Sequence, residues 1–272
     1  MCIFSIPVVT STHRPHSHFY HRRSNPSNLT YLKPTSNCLS ISAGLWNCQS
    51  AVKKADTISA HALSQSLHFL ALTETWITPE NSATVAALSA AYSFSHSPRP
   101  TSQRGGGTGL LISPKWSYTV TPLSHLSINS FEPHAVAVSL PTKLNIVVIY
   151  RPPGALGSFL DELDTLLSAF PDDGTPLVIL GDFNLKPVTL QSASFRNFLS
   201  SFDISLSPSP PTQKAGKVLD LVFTRSCSTC NLTATPLPVS DHHFITLSIP
   251  LFLPTPHPPT YHHPTEPKIS LT

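Results

Sequence analysis

The chain has 272 residues, a formal net charge of +3, 40% hydrophobic residues and only 11% charged ones. This length can bury the core of one large α/β domain, and the lack of any run of about 18 apolar residues argues against a membrane-spanning helix. The small positive charge is compatible with a polyanionic substrate but does not by itself predict one.

The two ends of the chain differ in composition from its centre. Residues 1–37 are rich in His, Pro, Ser and Asn without a periodic apolar pattern, and residues 251–272 are rich in Pro. Such segments cannot gather a core, so we predict a disordered N-terminal segment, one domain over 38–250 and a disordered Pro-rich tail. The start lacks the basic residues that precede the apolar part of a secretory signal.

Within the predicted domain, the apolar pattern indicates both strands and helices. Apolar runs with turn punctuation predict strands at 39–46, 67–73, 109–113, 135–140, 144–150, 177–180, 218–224 and 244–251. Amphipathic spacing predicts helices near 52–63, from 156 to 170 and from 192 to 202. On the second helix, Asp161, Glu162 and Asp164 are expected to form a solvated face. This order predicts a two-layered β core flanked by helices.

Two short motifs favour ordinary structural roles over sites. The Gly105–Gly107 run lacks the spacing of a phosphate-binding loop and predicts a tight turn before a strand. Five cysteines, an odd number, indicate a reducing compartment better than a disulfide framework. Cys227 and Cys230 form a C-x-x-C without a second pair nearby, so two ordinary thiols are a better interpretation than a zinc site.

Polar residues stand at the ends of the apolar strands, where side chains can reach a shared rim. A carboxylate buried in an apolar strand costs several kcal/mol unless it is paired, hydrogen-bonded or bound to a cation. Several such acids together with one histidine would suit a hard divalent cation and a general base. Taken singly, each acid also fits a structural role. These residues are Asn47, Glu74, Tyr150, Asp182, Asn184, Asp220, Asp241 and His242.

Five strings containing these residues occur in the order of a known superfamily. They are Leu-Thr-Glu-Thr-Trp (72–76), Ile-Tyr-Arg-Pro-Pro (149–153), Gly-Asp-Phe-Asn (181–184), Leu-Asp-Leu-Val-Phe-Thr (219–224) and Ser-Asp-His (240–242). From 39 to 251 the chain resembles the endonuclease/exonuclease/phosphatase superfamily. The strings at 105–112 and 211–221 are similar to endonuclease domains of non-LTR retrotransposons. The resemblance implies a four-layered α/β sandwich, with two packed mixed β-sheets flanked by helices and the site at their mouth.

The resemblance also implies an activity. It predicts a Mg²⁺-dependent, or Mn²⁺-dependent, phosphodiesterase that nicks DNA to leave a 3′ hydroxyl and a 5′ phosphate. DNA is the expected partner, neither a membrane nor a protein partner is predicted, and the location is expected to be intracellular and nuclear. Two alternatives stay open: a catalytically inactive remnant of a mobile element that acts as a binding protein, and a phosphatase or phospholipase of the same fold.

Residue roles follow from the same resemblance. Glu74 would hold the metal, with Asn47 and Asp241 beside it. Asp220 would orient His242, which would steady the phosphate or draw a proton from the attacking water. In the same site, Asp182 would position or deprotonate that water, Asn184 would bind phosphate oxygens and Tyr150 would donate to the developing charge.

Two positions depart from the family pattern or leave it ambiguous. Family members often carry an acid two residues after the asparagine, but Gln49 stands there, so weaker metal binding is expected. His243 follows His242, which is favoured as the catalytic imidazole by its motif position.

Several basic residues near loops could meet DNA phosphates or could simply be solvated. Arg151 is the best candidate because it adjoins Tyr150, and Lys214 and Lys217 lie in a turn that could enter a groove. The others are Arg99, Arg104, Lys115 and Lys186.

Overall fold

The structure is a computed structural model that describes residues 38–98 and 105–252. The predicted N-terminal segment, most of the predicted tail, Arg99 and Arg104 lie outside the described residues. The last described strand continues to Phe252, two residues past the predicted end of the domain. The boundaries of the two predicted disordered segments therefore stay predictions. None of the helices within the described ranges is long and apolar enough to cross a membrane.

Twelve strands and five helices alternate irregularly along these residues. The strands are β1 (Cys38–Asn47), β2 (Phe69–Thr73), β3 (Ser93–Ser97), β4 (Thr108–Ile112), β5 (Ser117–Val120), β6 (Glu132–Leu140), β7 (Leu144–Tyr150), β8 (Leu177–Asp182), β9 (Ser205–Leu206), β10 (Asp220–Arg225), β11 (Cys230–Pro236) and β12 (His243–Phe252). The helices are α1 (Ala55–Ser64), α2 (Ser82–Leu88), α3 (Phe159–Ser168), α4 (Pro187–Leu190) and α5 (Ala193–Ser201).

The strands form two six-stranded mixed sheets, ordered β11-β12-β1-β2-β4-β3 and β5-β6-β7-β8-β10-β9. One apolar cluster fills the space between the sheets, a second lies between the second sheet and helices α3 and α5, and a third lies between the first sheet and helices α1 and α2. Helices therefore cover the outer face of each sheet. The predicted four-layered α/β sandwich is confirmed.

The central strands bring the predicted site residues to one edge. β1 runs parallel to β2, and β7 runs parallel to β8, so the carboxyl ends of each pair lie together. β12 is antiparallel to β1, and β10 is antiparallel to β8, so both begin at that same end. Asp220 opens β10 opposite Asp182, and His242 directly precedes β12.

Glycine permits the closest strand contact at this edge. A Cβ added to Gly181 would stand 1.8 Å from the carbonyl oxygen of Ile149, so any other residue would push β8 away from β7. The contact places Asp182 next to Tyr150 in the parallel register. On the other sheet, Gly105, Gly106 and Gly107 all have φ between 76° and 101°, and they form the predicted turn before β4.

Each predicted strand and helix is present, with ends shifted by a few residues, but other elements were not predicted. Strands β3, β5, β9 and β11 and helices α2 and α4 carry weak sequence patterns. The unpredicted strands include all four edge strands of the two sheets. Edge strands face solvent on one side and need fewer apolar residues, so their pattern is weak.

One prediction about α3 is wrong. Asp161 and Asp164 are exposed, but Glu162 is only 8% exposed. Its Oε2 accepts hydrogen bonds from the backbone N–H groups of Asn129 and Ser130 and from the Ser130 hydroxyl, at 2.6 to 2.9 Å, and Oε1 accepts one from Ser158 at 2.8 Å. Burial opposes ionisation, yet these hydrogen bonds lower the pKa of Glu162 to about 2.

We predict that Glu162→Ala lowers the free energy of unfolding by about 2 kcal/mol, because it removes four charge-assisted hydrogen bonds and takes the acceptor from the N–H groups of Asn129 and Ser130. The pKa is depressed in the folded state, so this contribution is complete above the ordinary pKa of 4.5 and disappears as pH falls toward about 2. Urea unfolding at pH 7 and pH 3 measures both effects. Asp164→Ala, on the same helix but exposed, is the control and should change stability by less than about 0.5 kcal/mol. Equal losses for both variants at pH 7 would contradict the prediction.

Candidate active site

Asn47 connects Glu74 to the second sheet. It is fully buried at the end of β1, and its side-chain N–H₂ donates to Glu74 Oε1 at 2.9 Å and to Asp182 Oδ2 at 2.8 Å. The indole N–H of Trp76 donates to the other oxygen of Glu74 at 3.2 Å. Glu74 and Trp76 both have left-handed backbone, with φ of 52° and 54°, so the chain turns sharply after β2. These contacts fix the carboxylate of Glu74 at the mouth.

His242 and Asp220 form the second connection between the sheets. His242 Nδ1 lies 2.7 Å from Asp220 Oδ2, and both side chains are buried. Two backbone N–H groups, those of Leu219 and Asp220, donate to the hydroxyl of Thr212, which fixes the start of β10. A carboxylate at Nδ1 makes that nitrogen the donor, so Nε2 points toward the rest of the site.

The Nε2 atom of His242 faces two carboxylates without bonding to either. It lies 3.9 Å from Asp182 Oδ2 and 3.9 Å from Asp241 Oδ1, both beyond hydrogen-bond length. Burial lowers the pKa of His242, but the hydrogen bond and charge of Asp220, with the charges of Asp182 and Asp241, outweigh it and raise the pKa to about 9. The surrounding carboxylates therefore favour the protonated form of the imidazole.

The surroundings of Asp182 favour its uncharged form, whereas those of His242 favour the charged form. Burial and the charge of Asp220 raise its pKa, while His242 and the hydrogen bond from Asn47 offset part of this effect. The backbone N–H of Asn184 donates to Asp182 Oδ1 at 3.2 Å, and the side chain of Asn184 donates to the Arg151 carbonyl at 2.9 Å. A carboxylate with a raised pKa is a stronger base than an ordinary aspartate.

Tyr150 lies beside these groups at the end of β7. Burial, the charges of Glu74, Asp182 and Glu132, and a hydrogen bond to Glu74 raise the pKa of its hydroxyl. The tyrosine therefore stays protonated, and its hydroxyl can donate a hydrogen bond. It belongs to the same cluster as Glu74 and Asp182.

Asp241 lies at the outer side of the cluster, against the turn that carries the two candidate lysines. Its Oδ2 accepts from Gln213 Nε2 at 3.0 Å, and its carbonyl accepts from the Lys214 N–H at 2.9 Å. The side chains of Lys214 and Lys217 are exposed. The turn therefore places two solvent-exposed lysine side chains next to the mouth.

Arg151 is placed differently from the expectation that it meets DNA. It is only 2% exposed, and its guanidinium donates to the carbonyls of Phe183 and Asn184 at 3.4 and 3.2 Å and to those of Gly154 and Ala155. The guanidinium also lies 5.4 Å from the ring centre of Phe159. Its charge is used to hold two loops together, so the assignment of Arg151 as a phosphate contact is corrected to a structural role.

A cavity of about 810 Å³ adjoins the cluster on the side of Asn184. Lys186 and Lys217 line it together with mostly apolar residues of the segments 185–191 and 206–221. This volume lies in the range of small-molecule sites in proteins. The cavity thus extends the mouth sideways with an apolar wall and two cations.

The donor atoms fit a hard divalent cation. Asp220 Oδ1 and Asp241 Oδ1 are buried without a hydrogen-bond partner in the part of the chain that the structure describes. One ligand atom each from Asp182, Asp220 and His242 lie within 4.8 Å of one another, and the Glu74–Asn47 pair bonds directly to Asp182. Oxygen-rich groups with unpartnered buried oxygens are the donors that Mg²⁺ and Mn²⁺ prefer.

Sequence reasoning missed several residues that support the cluster. Trp76 and Thr212 stand inside strings already quoted for the resemblance, but their sequence positions do not reveal what they bond to. Lys54 and Gln49 contact the segment before β12, nearly 200 residues away along the chain. The cysteines Cys38, Cys48, Cys227 and Cys230 form no disulfide among the described residues. Burial raises the pKa of the Cys48 thiol to about 12.

Comparisons with solved structures return the same architecture. The endonuclease domain of TRAS1, a telomere-specific non-LTR retrotransposon, has a similar structure, with 14% sequence identity and a TM-score of 0.59. The match covers 78% of this chain and 98% of the TRAS1 domain. The human Nocturnin catalytic domain with bound sulfate matches with 16% sequence identity and a TM-score of 0.57. This match covers 79% of this chain and 94% of the Nocturnin domain. D. rerio TDP2 complexed with single-strand DNA product matches with 13% sequence identity and a TM-score of 0.54. This match covers 77% of this chain and 98% of the TDP2 chain. At these identities the likeness shows the fold.

Sequence comparison is consistent with the structural likeness. The comparison with curated proteins finds no match. The model of the Endonuclease/Exonuclease/phosphatase family matches residues 44–242, which is most of the chain and includes every residue of the cluster described above. The chain therefore belongs to the Endonuclease/Exonuclease/phosphatase family.

Proposed function

We propose that this chain is a divalent-metal-dependent DNA endonuclease that hydrolyses one phosphodiester bond of a duplex to leave a 3′ hydroxyl and a 5′ phosphate. One observation carries the proposal. A histidine and four polar residues from both sheets meet at one point. Hydrogen bonds of 2.7 to 2.9 Å join Asn47 to Glu74 and Asp182, and His242 to Asp220, and the two groups face each other with His242 Nε2 3.9 Å from Asp182 Oδ2. Such a cluster supplies a base, a cationic donor and unpartnered carboxylate oxygens within a few ångströms.

Asp182 is the proposed base. Its raised pKa suits it to take a proton from a water molecule that attacks the phosphorus opposite the leaving oxygen. The new P–O bond forms from that water, the bond from phosphorus to the 3′ oxygen breaks, and the 3′ oxygen leaves as a hydroxyl after taking up a proton. Asn184 and Tyr150 are proposed to donate to phosphate oxygens.

His242 is the proposed cationic donor. Its Nε2 lies 3.9 Å from Asp182 Oδ2 and from Asp241 Oδ1, beyond hydrogen-bond length, so its proton is available to a phosphate oxygen of the substrate. The Asp220 carboxylate keeps the imidazolium charged and correctly rotated. Negative charge that builds up on the phosphate in the transition state would be stabilised most by such a fixed donor.

Glu74, Asn47 and Asp241 are the residues proposed to hold the cation. A bound Mg²⁺ or Mn²⁺ would neutralise charge on the phosphate oxygens. The substitution of an acid by Gln49 leaves one carboxylate fewer at this side than is common in the family.

A DNA substrate is favoured by the surroundings of the cluster. The cavity next to Asn184 offers space for a nucleotide beyond the scissile phosphate, and Lys186 and Lys217 line it. The TRAS1 endonuclease domain and the DNA-bound TDP2 are relatives of the same fold. A small phosphomonoester has no apolar group that would contact the apolar wall of this cavity. An intracellular, nuclear location follows from a DNA substrate and belongs to the same proposal.

The first test is nicking of supercoiled plasmid with Mg²⁺. We expect His242→Ala to lower the nicking rate by at least about 100-fold, the usual contribution of such a group, and EDTA to abolish nicking. His243→Ala is the matched control: its Nδ1 lies against the Pro211 carbonyl, outside the cluster, so its rate should stay within about twofold of the wild type.

Other outcomes of this test point elsewhere. Folded protein that does not nick would support the inactive remnant. Release of phosphate from small phosphoesters without nicking would support the phosphatase. Loss of activity in His243→Ala but not in His242→Ala would reverse the assignment of the imidazole.

A second test concerns the cation. We expect Glu74→Gln to weaken Mn²⁺ binding by at least about tenfold, or 1.4 kcal/mol, because it removes a charge from the proposed ligand set. Calorimetric titration measures the affinity without DNA or turnover. Glu80→Gln removes an equal charge from an exposed position six residues later and should leave the affinity unchanged. Equal affinities for the wild type and Glu74→Gln would exclude Glu74 as a ligand.

A third test concerns DNA binding by the lysine turn. We expect the double change Lys214→Gln and Lys217→Gln to flatten the salt dependence of the dissociation constant by a logarithmic slope of about 1 to 2, since each lost phosphate contact accounts for about 0.9. Binding to duplex DNA is measured in Ca²⁺ over a range of salt. Lys143→Gln is the control, because Lys143 is exposed just before β7, at the end opposite Tyr150. An unchanged slope in the double variant would remove this turn from the interface.

A further inference from the structure

We infer that the loop between β1 and α1 is a positioning clamp for His242, acting through Gln49 and Lys54. The inference rests on the proposed function, because it concerns the histidine of that site. The clamp consists of two side chains of this loop and the segment 239–242 that they hold. Neither side chain touches the imidazole, so both are positioning residues.

Gln49 holds the segment by its side-chain oxygen. Gln49 Oε1 lies 3.1 Å from the Asp241 N–H and 3.3 Å from the Ser240 hydroxyl. The same hydroxyl donates to the Asn47 carbonyl at 2.8 Å and accepts from the His242 N–H at 3.1 Å. Gln49 therefore holds the Asp241 N–H directly, and the neighbouring Ser240 hydroxyl links the Asn47 carbonyl to the backbone of His242.

Lys54 holds the segment from the other side. Its ammonium donates to the carbonyls of Cys48 at 2.6 Å, Gln49 at 3.0 Å and Val239 at 2.7 Å. An ammonium has three donors, and these bonds use all of them. Two of the acceptors belong to the loop itself and the third precedes Ser240, so the lysine joins the two segments.

The loop is itself fixed to the metal side of the site. Gln49 and Ser50 have φ of 43° and 81°, a strained conformation for residues other than glycine. The strain is held by the backbone, because the N–H groups of Ser50 and Ala51 donate to the carbonyls of Glu74 and Thr75, each at 2.8 Å. The clamp therefore sets the distance between Glu74 and His242.

This arrangement gives the side chain of Gln49 a structural role that does not require it to bind a metal ion. The side-chain oxygen of Gln49 is used by the Ser240–Asp241 backbone, and so it is not offered to a cation. The residue contributes to the reaction through the placement of His242. A variant that keeps an acceptor oxygen at this length should keep that placement.

The experiment compares Gln49→Met and Lys54→Met with the conservative variants Gln49→Glu and Lys54→Arg in the full chain. Methionine keeps the side-chain length but removes the hydrogen bonds. We expect each methionine variant to lower kcat for plasmid nicking by about 10- to 100-fold, as small displacements of catalytic groups do, with KM changed less than twofold. Gln49→Glu and Lys54→Arg should restore most of kcat.

A second readout does not depend on activity. The Nδ1 proton of His242, shared with Asp220, is expected to give a far-downfield proton resonance in ¹⁵N-histidine-labelled protein, and this resonance should be missing in His242→Ala. We expect it to shift or broaden in Gln49→Met and to return in Gln49→Glu. The melting temperature should stay within about 4 °C of the wild type, which separates displacement from unfolding.

The outcomes separate this inference from the proposed function. If the wild type does not nick DNA but the resonance follows the expected pattern, the proposed function fails and the clamp stands. If kcat and the resonance are unchanged in both methionine variants, the clamp is wrong. A change confined to KM, or one that Gln49→Glu does not rescue, would also overturn it. Should Gln49→Met fail to fold, Lys54→Met and Lys54→Arg carry the same comparison.

Discussion

Two carboxylates that are almost fully buried at the junction of two sheets are the constraint around which this molecule is organised. Asp182 and Asp220 are each 1% exposed and face each other as register partners on β8 and β10. Two such charges repel and are poorly solvated, so at least one must be protonated or compensated. The compensation comes from the other sheet, as a buried amide from Asn47 and a buried imidazolium from His242. Each sheet thus supplies what the other lacks, and the mouth is also where the two halves of the sandwich are bonded together.

Much of this arrangement could be predicted, because the polar residues of the site directly follow apolar strands in the sequence. Parallel strands place their last residues at one edge, so Asn47, Glu74, Tyr150 and Asp182 could be expected to meet once β1, β2, β7 and β8 were recognised as buried strands. Edge strands such as β5 could not be found, because residues that face solvent leave no apolar period. The roles of Arg151 and Glu162 could not be read either: their partners are backbone groups in loops, and no sequence pattern records which carbonyls or N–H groups a fold leaves unpaired.

Backbone strain is concentrated at the same edge. Glu74, Gln49 and Asn184 all have positive φ, between 43° and 52°, although none is a glycine. Each of these residues follows directly or closely on a central strand, where the chain must turn at once to bring a side chain back over the mouth. Conformations of this kind persist only where surrounding bonds hold them. The bonds are present at each position: Asn47 and Trp76 hold Glu74, the neighbouring loop holds Gln49, and the Arg151 carbonyl holds Asn184.

The partners of buried charged residues elsewhere in the chain can be compared with those of the carboxylates in the site. Only 11% of the residues are charged, and three of them are buried against backbone groups: Arg151 and Arg225 donate to loop carbonyls, and Glu162 accepts from loop N–H groups. In these residues the charge has a structural partner that explains why it tolerates burial. Asp220 and Asp241 each keep one buried carboxylate oxygen without a hydrogen-bond partner among the described residues. A buried carboxylate oxygen in this state destabilises the fold unless something binds it. These two oxygens, which lie on residues that contact His242, are therefore the physical observation that best supports the proposed cation.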